Sequence, residues 1–230
     1  MIVTIHQPEH LPYFGFLDKV NKADVFVILD DVQFKKNNFQ NRNQILTPHG
    51  VKWLSVPVEI KHVCDKNINA RKIVGNWKQD YRNKLIDAYK NHPFFDETLL
   101  WIDEVLAINS DNLIDYNLSF IKHIFKLLEI SPKIVFSSEL KITSSKSQRI
   151  LDICKKMSAT DYLAGQGAID YLDVNIFDNI NIIKHKFIHP EYVQFNCDKF
   201  IPYMSSIDFF MNIGKNNFKQ LLHSLKSNSV

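Results

Sequence analysis

The chain has 230 residues, enough for one large domain or two small ones with a sizeable core. Its 45% hydrophobic and 23% charged content is ordinary for a soluble globular protein, and a net charge of +3 is too small to argue for nucleic acid as a substrate. Cys64, Cys154 and Cys197 are an odd count, far apart with no CxxC pair, which argues against a disulfide framework or zinc ribbon and fits a reducing compartment. With no signal-like start and no run near the roughly 20 apolar residues of a membrane span, a cytoplasmic protein without membrane contact is expected.

In chain order, the apolar run Ile2 to Ile5 ends in His6-Gln7-Pro8, and a second run, Val25 to Leu29, ends in Asp30-Asp31. Between them Leu11, Phe14, Leu17, Val20 and Ala23 recur at helical spacing, giving strand, helix, strand. Gln44 to Leu46 and Lys52 to Val56 flank Thr47-Pro48-His49-Gly50 and read as a hairpin, with Pro57 at its exit. Glu59 to Val74, with His62, Cys64, Asp65 and Lys66, reads as a surface loop with a short extended piece.

Three helices follow: one from Trp77 stopped by His92-Pro93, then Thr98 to Ala107, then Asn112 to Leu128. The α/β rhythm returns with a strand over Lys133 to Phe136, a serine-rich linker and a helix over Gln148 to Met157. Next come a strand over Asp161 to Ala164, a helix over Ala168 to Phe177 and a strand over Ile180 to His185. Ser206 to Ile213 and Asn217 to Leu225 close the chain as helices. The expectation is a single α/β domain over residues 1–230, a Rossmann-like open sheet with a mainly helical subdomain at residues 77–130.

In open α/β sheets ligands collect at the carboxyl ends of parallel strands, facing helix N-termini. His6 is therefore the candidate general base, in company with Gln7, His10 and Tyr13. Asp30 and Asp31 are adjacent at a strand end and point to opposite faces, so one of them is expected to orient the base, a ribose hydroxyl or a hydrated cation. Lys35, Lys36 and Arg42 suit an anion, and Asn38, Asn41 and Gln44 suit sugar hydroxyls. Gly165-Gln166-Gly167 sits between a strand and a helix, where backbone amides can approach phosphate, with Tyr162 and Tyr171 beside it. His189 and Tyr192 lie where a strand is expected to run into His-Pro, completing the cleft wall with Ser205, Ser206 and Asp208. There is no HExxH helix or nucleophile elbow, no cysteine shows a local signature of activation, and no metal site is assigned.

The stretch IHQPEHLPYFGFLDKVNKADVFVILDDVQFKKNNFQNRNQI resembles the signature of the WbqC-like family, and DYLAGQGAIDYLD, HPEYVQ and IPYMSSIDFFMNIG extend the likeness over nearly the whole chain. Members of that family are bacterial proteins associated with O-antigen, capsule and other surface-glycan biosynthesis, which implies work on nucleotide-linked sugars. His6, Gln7, Asp30, Asp31, Asn41, Arg42, Gly165, Tyr171, His189 and Tyr192 fall on matching motif positions. The first strand ending in histidine is also similar to nucleotidylyltransferases and their HxGH signature. The run here is HQPEH, without the glycine, and that departure argues against nucleotidyl transfer.

The leading expectation is an acyl- or aminoacyltransferase that forms an amide on a nucleotide-linked amino sugar. Its co-substrate would be an activated acyl or aminoacyl donor, an aminoacyl-tRNA being left open. Nucleotidyl transfer from a nucleoside triphosphate and non-catalytic nucleotide-sugar binding stand as alternatives, and an oligomer is compatible with the sequence.

Overall fold

The computed structural model describes residues 1–59 and 67–227. His62, Cys64, Asp65 and Lys66 lie outside them.

Five strands form one parallel sheet: β1 (Ile2–His6), β2 (Val25–Ile28), β5 (Lys133–Phe136), β6 (Asp161–Ala164) and β7 (Asn181–Lys184), in the order β5-β2-β1-β6-β7. Strands β3 (Arg42–Thr47) and β4 (Gly50–Ser55) form a separate antiparallel hairpin. The chain builds outward from β1 through β2 to β5, then crosses back to place β6 on the other side of β1. This is the Rossmann-like order, and it puts the topological switch point between β1 and β6. The buried patterns of β1 and β2, with almost no polar alternation, are what a parallel strand covered on both faces requires.

Helix α1 (Phe14–Asn21) follows β1. Helices α2 (Lys78–Tyr89), α3 (Phe95–Leu106) and α4 (Leu113–Leu128) form the expected helical run. Their buried residues, Tyr81, Trp101 and Phe120 among them, share one hydrophobic cluster with Phe14 of α1, Ile45 of the hairpin and Phe210 near the C-terminus. Helix α5 (Lys146–Lys156) packs on the other face of the sheet, where Val3, Val27, Ile153 and Tyr162 make a second cluster. The closing helix α7 (Ser206–Ser227) is broken at Gly214, whose φ of 72° and ψ of 168° divide it near the expected boundary. No helix among the described residues is long and apolar enough to cross a membrane.

Four expectations need correction. The first helix starts at Phe14 and not at Leu11, because Leu11 takes a left-handed φ of 45° ahead of Pro12. The helix expected over Ala168 to Phe177 is only a short α6 (Gln166–Ile169) and a single 3-10 turn (Val174–Ile176). There the Asp173 side chain accepts from Asn175 N and fixes a turn in place of a helix. The final strand stops at Lys184 and does not run into His189-Pro190. Its last pairing bond is His185 N to Ala164 O, after which the His185 ring turns into the core. Asp30 and Asp31 do not oppose each other, because β2 has already ended at Ile28 and the chain turns there; both carboxylates accept from the Ser137 hydroxyl.

Candidate functional site

At the switch point, the chain leaving β1 carries His6 and Glu9 across the start of α1. His6 Nδ1 lies 3.1 Å from the Gln7 carbonyl oxygen, which only accepts, so the proton of the neutral ring sits on Nδ1. The Nε2 lone pair then faces Glu9, 3.7 Å from its Oε1. Phe16 fixes the ring plane by an edge contact at 5.0 Å. His6 keeps 30% of its side-chain surface accessible and Glu9 13%, so solvent reaches part of the pair.

Helix α1 is buried along its whole length, including Asp18 and Lys19, because it is packed between the sheet and the helical layer. Lys19 projects from it toward the end of β6: a methyl group on Gly165 would come within 3.5 Å of Lys19 Nζ. Glu9 Oε2 is buried and has no hydrogen-bond partner. A buried carboxylate oxygen without a partner is an unsaturated hydrogen-bonding atom near the switch point, where open α/β sheets collect ligands.

The charges are mutually tuned. Burial pushes the Glu9 carboxyl up to about 7, although the Lys19 ammonium opposes the rise. Burial brings the Lys19 amine down to about 8, with Glu9 opposing. The His6 imidazole falls well below its ordinary range through burial and then through the Lys19 charge, so it stays neutral. A carboxyl raised by burial to about 7 suits general acid–base chemistry at neutral pH.

A second constellation adjoins the first. Asp18 Oδ2 accepts from Lys22 Nζ at 2.9 Å and contacts His185 Nε2 at 2.7 Å, joining α1 to the end of β7. Tyr13 caps α1 and packs edge-on against Phe187 and Tyr203. Burial, then Coulombic interaction with Glu9, Tyr203 and Asp18, pushes its hydroxyl up to about 12, so Tyr13 stays protonated as a hydrogen-bond donor.

The WbqC-like protein family model matches residues 7–220. The chain belongs to the WbqC-like protein family. It is 29% identical over 216 residues to "Uncharacterized protein Rv1507c" of Mycobacterium tuberculosis (strain ATCC 25618 / H37Rv), covering 92% of this chain and 94% of that relative. No solved structure matches it.

The remaining candidates of this WbqC-like chain fall into separate local settings. Gln7 Oε1 accepts from Gln40 Nε2 at 2.7 Å, so the segment around Lys36 and Asn38 is fastened beside His6. Asn41 donates to the Val56 carbonyl and Arg42 to Asn37, while Asn38 accepts from Phe39 N. Lys36 is exposed. Asp30 accepts from Ser138 N, Ser138 Oγ and Asn69 Nδ2, and Asp31 pairs with Arg149 at 2.5 Å, so these two carboxylates clasp the end of β2 to the turn after β5. The Arg149 pair and Ser137 hold the Asp31 carboxyl below its usual range against the effect of burial.

At the end of β6, Gly165 faces Lys19, whereas Gly167 meets nothing within 4 Å and Gln166 and Tyr171 are exposed. Tyr162 belongs to the core. His189 lies among aromatic rings, 5.7 Å from Phe209 and 6.3 Å from Phe14. Tyr192 stacks on Phe209 at 3.8 Å and donates to Asp208 Oδ2, which also accepts from Gln194, while Asp208 Oδ1 accepts from Tyr89. His10 is enclosed between Tyr81 and Asn117.

Glu9, Lys19, Asp18 and His185 were not singled out from the sequence. The available signal was two adjacent charges, Asp18 and Lys19, inside a short helix between two buried strands. A helix so placed has little solvent-facing surface to give them.

Proposed function

We propose that this WbqC-like protein is a cytoplasmic transferase of bacterial surface-glycan biosynthesis that forms an amide on the amino group of a nucleotide-linked sugar. The observation that carries the reading is the unpartnered Glu9 oxygen near the switch point, beside the neutral His6 and under the electrostatic influence of Lys19. An amine attacking a carbonyl must lose a proton, and a carboxylate that titrates near 7 takes it efficiently at neutral pH.

In the proposed reaction the sugar amine attacks the carbonyl of an activated acyl or aminoacyl donor, and a C–N bond forms. The Lys19 ammonium stabilises the oxyanion. His6 Nε2 accepts a hydrogen bond from the amine and aligns it. Glu9 takes the amine proton and returns it to the leaving thiol or alcohol as the carbonyl–leaving-group bond breaks.

Nucleotidyl transfer draws less support, because His10, the second histidine of the opening run, is locked in the core by Tyr81 and Asn117. The test is incubation with nucleoside diphosphate amino sugars and a panel of acyl and aminoacyl donors, read by mass spectrometry. The proposal expects an amide product, with turnover reduced at least about 100-fold in Glu9→Gln. Pyrophosphate release from a nucleoside triphosphate, or tight binding with no product from any donor, would contradict it.

A further inference from the structure

Beside the opening, the β3–β4 hairpin presents a surface that the chemistry above does not use. Trp53 and Phe39 are 40% and 41% exposed, with ring centroids 5.9 Å apart. The Arg42 guanidinium lies 4.0 Å over the Trp53 ring, and its NH2 group donates to the Asn37 carbonyl at 2.7 Å. Arg42, Gln44, Trp53 and Ser55 share one face of the hairpin, because Arg42 pairs with Ser55 and Gln44 with Trp53 in the antiparallel register. Lys35 and Lys36 are exposed on the same segment as Phe39.

Two large aromatic rings left half in water, one of them layered with an arginine, form an aromatic and cationic surface. Such surfaces stack nucleobases and hold the attached phosphates. The platform is also held in place. Phe39 O accepts from His10 N at 2.8 Å, and the neighbouring Gln40 donates to Gln7. Both bonds fasten it to the loop that carries His6 and Glu9. The platform is thus fixed to the chain between β1 and α1.

We infer that Phe39, Trp53 and Arg42 form a binding site for a phosphate-bearing nucleobase, placed to present the attached group to the Glu9–Lys19 opening. The inference rests on the transferase reading for what that group is. The base itself can belong to the nucleotide-linked sugar or to the single-stranded end of an RNA that carries the acyl group.

Trp77 and Trp101 are buried, so Trp53 supplies the accessible tryptophan emission. The intact protein is titrated with uridine diphosphate and, separately, with a single-stranded oligoribonucleotide ending in CCA. The site predicts saturable quenching by at least one of them. Quenching by the diphosphate assigns the sugar nucleotide, and quenching by the oligonucleotide alone assigns RNA. Trp53→Ala and Phe39→Ala should each weaken binding, measured by calorimetry, about tenfold. Trp53→Phe should keep most affinity and lose the signal. Arg42→Met should weaken uridine diphosphate and leave uridine unchanged.

No quenching by either probe, or unchanged affinity in both alanine variants, overturns the site. Amide formation by the wild type with unchanged KM in Trp53→Ala would sink the platform and leave the transferase reading standing. Saturable stacking without any amide product would do the reverse.

Discussion

The carboxylate of Asp18 holds the ring of His185 at 2.7 Å, tying the first helix to the end of the last parallel strand across the outside of the switch point. Both side chains are buried, and Lys22 completes the cluster from the next turn of α1. Removing the Asp18 charge leaves Lys22 without its counter-ion and puts an amide where the carboxylate met His185. Asp18→Asn should cost about 3 kcal/mol in urea unfolding, as breaking a buried pair does. A loss no larger than that of an exposed pair, about 0.5 kcal/mol, would show that the cluster adds nothing.

The pH dependence of activity should be bell-shaped. Glu9 must be ionised to take a proton and Lys19 must be protonated to stabilise the oxyanion, so the limbs should fall near the Glu9 value of about 7 and the Lys19 value of about 8. Initial rates across pH 5 to 10 check this, and Glu9→Gln should abolish the acid limb together with most of the turnover.

Stability should move the opposite way. The folded Glu9 carboxyl lies above its ordinary 4.5, so its stabilising contribution is complete below about 4.5 and is lost as pH rises through about 7. Glu9→Gln should therefore gain on the wild type as pH increases across that window, by up to about 3 kcal/mol. Thermal unfolding of both proteins at pH 4.5 and pH 8 measures the change.

Gly165 separates site geometry from folding. Its backbone suits any residue, and a methyl group 3.5 Å from Lys19 Nζ is an ordinary contact. Gly165→Ala should fold and work nearly as the wild type, whereas Gly165→Leu should fold and lose turnover by displacing Lys19. Circular dichroism and initial rates for the pair distinguish this from a general defect.

Gly214 is the structural counterpart. A φ of 72° and a Cβ position 2.6 Å from the Phe94 ring make any side chain there both strained and crowded. Gly214→Ala should destabilise the fold by about 2 kcal/mol or more, measured by urea unfolding, with Phe94→Leu in the same chain recovering part of the loss.

Much of the sheet was legible because apolar runs such as Val25–Ile28 and Lys133–Phe136 are bounded by residues that stop strands. The hairpin was legible from its turn residues. Strand order and the helix over Ala168 to Phe177 were not, since the first depends on a crossover and the second has an apolar pattern that Asp173 interrupts locally. At the site, His6 and Gly165 stood out because each follows a strand. Glu9 and Lys19 did not, because carboxylates and lysines usually face water, and only tertiary packing reveals that these do not. Asp30 and Asp31 looked catalytic for the same positional reason as His6, yet the serine turn after β5 supplies hydrogen bonds to both.

The proposed chemistry requires Glu9 to exchange its proton near neutrality. A carbon-13 NMR titration of side-chain-labelled glutamate, with Glu9→Gln to assign the resonance, measures this directly. The account predicts a midpoint near 7 that moves up in Lys19→Met. A midpoint at the ordinary 4.5, unmoved by that substitution, would contradict it.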